Sequence, residues 1–354
     1  MLQRSRNIPT GLVALLLGLS AIFGASLSAR AAEPIKVFIL AGQSNMEGKA
    51  KVSLIETQLV DPKTAPLFQH LKTDSGEWVV RDDVWIKFLG RKGGLTVGYG
   101  SPERIGPELE FGNTVGDAYG QQVLLIKTAW GGKSLYRDFR PPSSGLPDKA
   151  VLEDLLQKAQ KRNPDATMDD IKASFGFYYR EMLKEVRDTL ANLKEFFPEY
   201  QGQGYELAGL VWFQGWNDMI NDDYTAEYAE NMANFIRDAR KDLDAAKLPV
   251  VIGQLGVGGE KEDKPNPKRD AFKEAQIKPA SLAEFQGNVA VVKTDQYWDM
   301  EADAVFRKGW KENLEQWNKV GSDYPFHYLG SAKCYSRIGK AFGEAMLKLQ
   351  QDAK

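Results

Sequence analysis

Cysteine is nearly absent from this chain, with Cys334 alone among 354 residues. No internal disulfide can form, so stability must come from a packed core, and the same count excludes a cysteine-based zinc cluster. Histidine is almost as scarce: His70 and His327 are the only imidazoles available for chemistry. Long runs of one charge are missing too. With 46 basic residues against 48 acidic ones, no Lys/Arg stretch points to a nucleic acid or to an anionic membrane surface. There is no internal repeat and no low-complexity segment.

The chain does open on a processing signal. Arg4 and Arg6 precede an apolar core from about Leu12 to Phe23, diluted by Gly and Ser, and small residues lead to Ala29-Arg30-Ala31. That order predicts a cleaved signal peptide over residues 1–32 rather than a retained anchor. The mature chain, residues 33–354, is then secreted or periplasmic, free of the membrane, and long enough for one large domain.

Five apolar runs read as strands buried on both faces. They are Ile35 to Ala41, Val123 to Ile126, Leu207 to Phe213, Pro249 to Gly253 and Val289 to Val292. Amphipathic helices lie between them, with inward-facing positions at Tyr178, Met182, Val186, Leu190 and Leu193, then at Tyr228, Met232, Phe235, Ile236, Ala239 and Leu243. A last helix, about Ser331 to Leu349, turns Ile338, Phe342, Ala345, Met346 and Leu349 inward. Strand and helix alternation predicts an α/β three-layer sandwich with a five-stranded parallel sheet. Residues 51–118 and the stretch opened by Pro141 and Pro142 read as two long insertions, the first a surface excursion.

In a parallel sheet the carboxyl ends of the strands share one edge, where such folds keep their ligand crevices. Here that edge collects Ser44 after the first strand, Gly131-Gly132 after the second, and Gln214 to Asp218 after the third. A serine hydroxyl needs a base to attack an ester, and donors aimed at the oxyanion that forms. Glycine permits close approach of a backbone N–H, and a side-chain amide supplies another donor. His327, in a loop before the final helix, can reach this edge; His70 lies within the first insertion as an ordinary structural or surface residue. Gly131-Gly132-Lys133-Ser134 does not complete a phosphate-binding loop, because position 127 is lysine. Ser44 lacks the second glycine of a Gly-x-Ser-x-Gly elbow, because Met46 stands there.

Gly42-Gln43-Ser44-Asn45-Met46, Trp130-Gly131-Gly132-Lys133-Ser134-Leu135, Trp212-Phe213-Gln214-Gly215 and the late histidine together resemble the sialate O-acetylesterase and acetylxylan esterase family. This is a carbohydrate esterase branch of the SGNH hydrolases, whose fold is flavodoxin-like. The resemblance implies Ser44 as nucleophile, His327 as base, and an oxyanion hole that includes the N–H groups of Ser44 and of Gly131 or Gly132. It implies neither metal nor organic cofactor, and an acetylated carbohydrate, of xylan or sialic acid type, as substrate. Two departures stand out. The family's Gln-Gly-Glu is Gln214-Gly215-Trp216 here, although Gly215-Trp216-Asn217-Asp218 fits the wider Gly-x-Asn-Asp block, leaving Gln214 and Asn217 both open as amide donor. The family's acid lies three residues before the histidine, where this chain has Tyr324. Asp323 is the expected replacement, turned by Pro325, with Asp295, Asp299 or no acid at all as alternatives. Trp130 and Trp216 are candidate sugar platforms or core residues. A serine esterase is the expected function; a non-catalytic sugar binder and an esterase for non-sugar esters are the rivals.

Overall fold

Strand β1, Ile35–Gly42, runs through the middle of the computed structural model, which describes residues 33–260 and 266–352. The expected signal peptide lies outside the described residues. β1 pairs in parallel with β6 (Val123–Ala129) on one side and with β7 (Tyr205–Phe213) on the other. Beyond β7 come β8 (Val250–Gln254) and β9 (Val289–Lys293), both parallel. All five strands expected from the apolar runs are present, and their order reverses at β1, the place where an open α/β sheet leaves its crevice.

The sheet is nevertheless larger than expected and mixed. It has seven strands in the order β4-β3-β6-β1-β7-β8-β9, where β3 is Arg81–Phe88 and β4 is Arg91–Leu95. β3 lies parallel to β6, and β4 closes the edge as an antiparallel hairpin partner. The expectation of a five-stranded parallel sheet is therefore corrected, and so is the surface excursion, part of which is sheet. Arg81-Asp82-Asp83 hides the apolar half of β3, of which Val84 to Phe88 are buried. Arg-Lys-Gly-Gly in β4 suits an edge that must not recruit another strand. A further two-stranded pair joins β2 (Ala50–Lys51) to β5 (Arg104–Ile105).

Alternation along the strands assigns the two helical layers. On β7, Trp212 faces Phe235 of the helix Asp222–Asp242, with ring centroids 4.5 Å apart. Its neighbour Phe213 points the other way, onto Phe342 of the helix Ala332–Asp352 at 5.3 Å. Phe38 of β1 meets Phe111 of the helix Glu108–Ala118 at 5.4 Å. The helix Phe177–Ala191 buries Tyr179, Met182, Leu183 and Val186. Tyr178, expected inward, is only half-buried there, because the helix is turned so that Tyr179 fills the core. No helix among the described residues is long and apolar enough to cross a membrane.

Candidate active site

β1 ends at Gly42, where a Cβ would sit 2.2 Å from the Phe213 carbonyl oxygen of β7. Only glycine lets the two backbones run that close, and the approach brings the residues after β1 beside those after β7. Ser44 opens a short helical turn, Ser44–Glu47, and is 5% exposed. The N–H groups of a first helical turn have no acceptor inside it. After β6, the Trp130 N–H donates to the Gly42 carbonyl at 3.2 Å. The next residue, Gly131, lies so close that its Cβ would be 3.8 Å from Ser44 Cβ, whereas Gly132 has φ +72° and makes the turn. The two glycines thus divide the work of approach and reversal.

The histidine loop arrives from the other side. Asn45 Nδ2 donates to the Phe326 carbonyl at 3.1 Å, and the buried Tyr335 hydroxyl donates to Asn45 Oδ1 at 2.9 Å. The residue after Ser44 is thereby tied to the residue before His327. Within the loop, His327 Nδ1 lies 2.9 Å from Asp323 Oδ1. An ionised carboxylate only accepts, so Nδ1 carries a proton, and in the neutral imidazole the lone pair is then on Nε2. Burial works against the charge of Asp323. Hydrogen bonds from His327 and from the Tyr324 N–H, with the attraction of His327 and Arg104, outweigh it and hold the carboxyl below its ordinary value. Arg104 Nη1 donates to Asp323 Oδ2 at 3.2 Å.

Backbone geometry explains how residues four apart come face to face without a regular helix. Tyr324 is extended (φ −72°, ψ 164°), as a residue before proline prefers. Tyr328 and Leu329 then adopt left-handed conformations, φ 50° and 60°, which cost non-glycine residues on the order of 1–3 kcal/mol each. The strain is held by burial and bonding. The Tyr328 hydroxyl lies 2.8 Å from the Gly256 N–H and 2.5 Å from the Thr294 hydroxyl. The Leu329 carbonyl accepts from both Ser322 and Asp323 N–H groups, closing the loop on itself. The two alternative acids are occupied elsewhere: Asp295 pairs with Lys273 at 2.7 Å, while Asp299 caps the helix Met300–Arg307 and pairs with Lys333.

The two candidate amides separate by their partners. Gly215 N–H can only donate, so the Gln43 atom facing it at 3.2 Å is Oε1. Gln214 Nε2 must then be the group that meets Gln43 Oε1 at 3.1 Å, and it also donates toward the Lys133 carbonyl and Asp218. Gln214 Oε1 in turn accepts from the Tyr228 hydroxyl. At 2% exposure the Gln214 amide is used up by the scaffold. Gln43 Nε2 is left to donate to Asn217 Oδ1 at 3.1 Å, which turns Asn217 Nδ2 away from Gln43. Asn217 lines a cavity of about 520 Å³ together with Ser134, Arg137, Asp138, Tyr178 and Tyr224.

Three supports escape sequence reasoning. Lys127 is fully buried beneath the Ser44 turn and donates to the carbonyls of Glu47 and Tyr99 and to Glu108 Oε2, each at 2.8 Å. Burial lowers its pKa, with Glu108 opposing. Asp218, also buried, accepts from the N–H groups of Leu135 and Tyr136, fastening the segment after Gly131-Gly132 to the end of β7. Burial drives its carboxyl up to about 7 against the pull of those donors. Gln43 orients the amides as described. A lysine inside an apolar strand, a Gln beside a candidate serine and the aspartate that ends the Gly215-Trp216-Asn217-Asp218 block are the traces these leave in the sequence.

A family-model comparison matches residues 34–306 to "Carbohydrate esterase, sialic acid-specific acetylesterase". The chain belongs to this family. It is a carboxylic ester hydrolase of the carbohydrate-esterase kind. Among solved structures, the esterase is similar to an Arabidopsis thaliana protein at 18% identity and TM-score 0.50, over 89% of this chain and 98% of that one. It is also similar to XAC1771, a carbohydrate acetylesterase from Xanthomonas citri, at 15% identity and TM-score 0.46, over 88% of this chain and 55% of that one. NanS gives 14% identity and TM-score 0.41, over 74% and 78%. No curated protein matches the chain.

Both candidate tryptophans of the esterase are half-buried near the site. Trp130 packs on Tyr178 at 5.1 Å and on Phe139 at 6.0 Å. Trp216 packs on Phe326, the residue before His327, at 5.5 Å. His70 is elsewhere, in the 3₁₀ turn Gln69–Leu71, with Nε2 2.9 Å from Glu110 Oε1. Its hydrogen bond to Glu110 raises its pKa from 6.5, against partial burial. A raised value means that the pair's contribution is fully present below 6.5 and fades as pH rises through the raised value. His70→Ala is therefore expected to keep kcat/KM, and to lower Tm relative to the unmodified enzyme more at pH 5.5 than at pH 8.5. Thermal melts and an aryl-acetate assay across that range check both parts.

Proposed function

We propose that the esterase removes O-acetyl groups from a carbohydrate by way of a covalent acetyl-enzyme. Ser44 Oγ attacks the ester carbonyl, His327 Nε2 takes its proton and returns it to the departing sugar oxygen, and water then releases acetate by the same route in reverse order. Asp323 holds the Nδ1 tautomer and stabilises the imidazolium. The developing oxyanion is received by the N–H groups of Ser44 and Gly131 and by Asn217 Nδ2, with Gly132 shaping the turn and Gln214 bracing the scaffold. No step requires a metal or an organic cofactor. The domain is residues 33–354, of flavodoxin-like SGNH type, exported behind the signal peptide 1–32. Acetylated xylan or an acetylated sialic acid is the class of substrate.

The observation that carries this is the juxtaposition of three strand ends with a histidine already paired to a carboxylate at 2.9 Å. The family supports the acetyl ester and the sugar. Removing one oxyanion donor typically costs about a hundred- to a thousandfold in kcat. Asn217→Ala is expected to show a loss of that size in acetate release from O-acetylated carbohydrates, with KM little changed. Near-normal turnover in Asn217→Ala would remove the amide from the hole.

A further inference from the structure

The mechanism makes no use of the Tyr324 side chain. Tyr324 takes the place three residues before His327, and the residue is 50% exposed although it sits within the loop that carries the base. The extended backbone at Tyr324 and the helical turn that opens at Pro325 bring the Tyr324 and Phe326 rings together. Their rings stack, with centroids 5.5 Å apart and planes only 8° from parallel. Phe326 leans on Trp216 at 5.5 Å and on the His327 ring at 4.5 Å. At the outer end Trp310 meets Tyr324 edge-on at 6.3 Å. Tyr324 is exposed and Trp216, Phe326 and Trp310 are half-buried, so the row keeps part of its apolar surface open, and contiguous open apolar surface marks a binding site where a single exposed aromatic does not.

The row has a direction. Phe326 touches the His327 ring, and Tyr324 and then Trp310 continue the row from Phe326. A pyranose ring carries its C–H groups on its faces and its hydroxyls on the rim, and an open aromatic face offers it apolar contact without competing for the hydroxyls. We propose that Trp216, Phe326 and Tyr324, continued by Trp310, form a platform for the sugar units that flank the acetylated one. The substrate is then an O-acetylated oligosaccharide or polysaccharide chain and not an acetylated monosaccharide. This platform extends the esterase centre proposed above and rests on it.

The test uses chemically O-acetylated xylotetraose, cellotetraose and mannotetraose, the corresponding O-acetylated monosaccharides, and 4-nitrophenyl acetate. For at least one sugar, the unmodified enzyme is expected to prefer the tetraose to the monosaccharide by about tenfold or more in kcat/KM. Tyr324→Ala should lower the ratio of tetraose to aryl-acetate kcat/KM by about tenfold, mainly through KM, and Tyr324→Phe should restore it. Equal turnover of monosaccharide and tetraose for all three sugars, or an unchanged ratio in Tyr324→Ala, overturns the platform. Absence of acetate release from every ester would instead sink the esterase centre. Calorimetric binding of the acetylated tetraoses to Ser44→Ala then decides the platform separately: binding weakened by adding Tyr324→Ala upholds it, and no binding refutes it.

Discussion

Ser44→Ala is expected to lower kcat by roughly a millionfold, and His327→Ala by a comparable amount, because nucleophile and base act as one unit. The double variant should lose little more than either single one. The fold should survive, since alanine fits the helical turn that Ser44 opens and since the ties between this turn and the histidine loop run through Asn45 and Tyr335. Circular dichroism and thermal melts would establish that the variants are folded. Burst kinetics with an aryl acetate would show an acetyl-enzyme in the unmodified protein and none in Ser44→Ala. Turnover retained by either single variant at more than a small fraction would break the proposed unit.

The second large effect concerns the acid. Asp323→Asn is expected to lower kcat by about ten-thousandfold, the loss found when a serine hydrolase keeps its geometry but loses the carboxylate that fixes its histidine tautomer. An asparagine amide facing Nδ1 could donate instead of accept, leaving the proton on Nε2 where the serine needs a lone pair. KM should change little, because Asp323 lies behind the imidazole. Asp295→Asn should leave kcat near that of the unmodified enzyme, since Asp295 is spent on Lys273. The depressed value of Asp323 also has a sign for stability. Its ion pairs stabilise the fold above the ordinary carboxylate value of 3.8, and that contribution disappears as pH falls through the lower folded value. Retained activity in Asp323→Asn, with the fold intact, would show that the imidazole is oriented by something else.

What the sequence discloses depends on how local the cause is. The five parallel strands are legible because each is buried on both faces and therefore reads as an unbroken apolar run. The hairpin of β3 and β4 is not, because an edge strand needs charges and glycines that look like loop. Ser44, Gly131 and Gly132 can be nominated because strand ends converge by topology, and His327 because the chain has only two histidines. The choice between Gln214 and Asn217 is not local, since it turns on Gln43 across the sheet edge and on one backbone N–H that can only donate. Asp323 is half legible. Proline at 325 announces the extended Tyr324, but the left-handed pair Tyr328-Leu329 that folds the loop back is set by tertiary burial of Tyr328, and of that left-handed run only Gly330, φ 55°, has the residue type that would announce it. Lys127 reads as an anomaly in a strand until Glu108 and the Glu47 carbonyl are seen around it.

Covalent labelling tests the central assignment most directly. A fluorophosphonate reacts with a serine only where a base activates the hydroxyl and donors receive the phosphonyl oxygen, so it reports nucleophile, base and hole together. With the adduct located by peptide mass spectrometry, the unmodified esterase is expected to carry one label, on Ser44. His327→Ala should label far more slowly, and Asn217→Ala should be slowed to a lesser degree. A label on another residue, or rapid labelling of Ser44 in His327→Ala, would contradict the proposed serine–histidine centre.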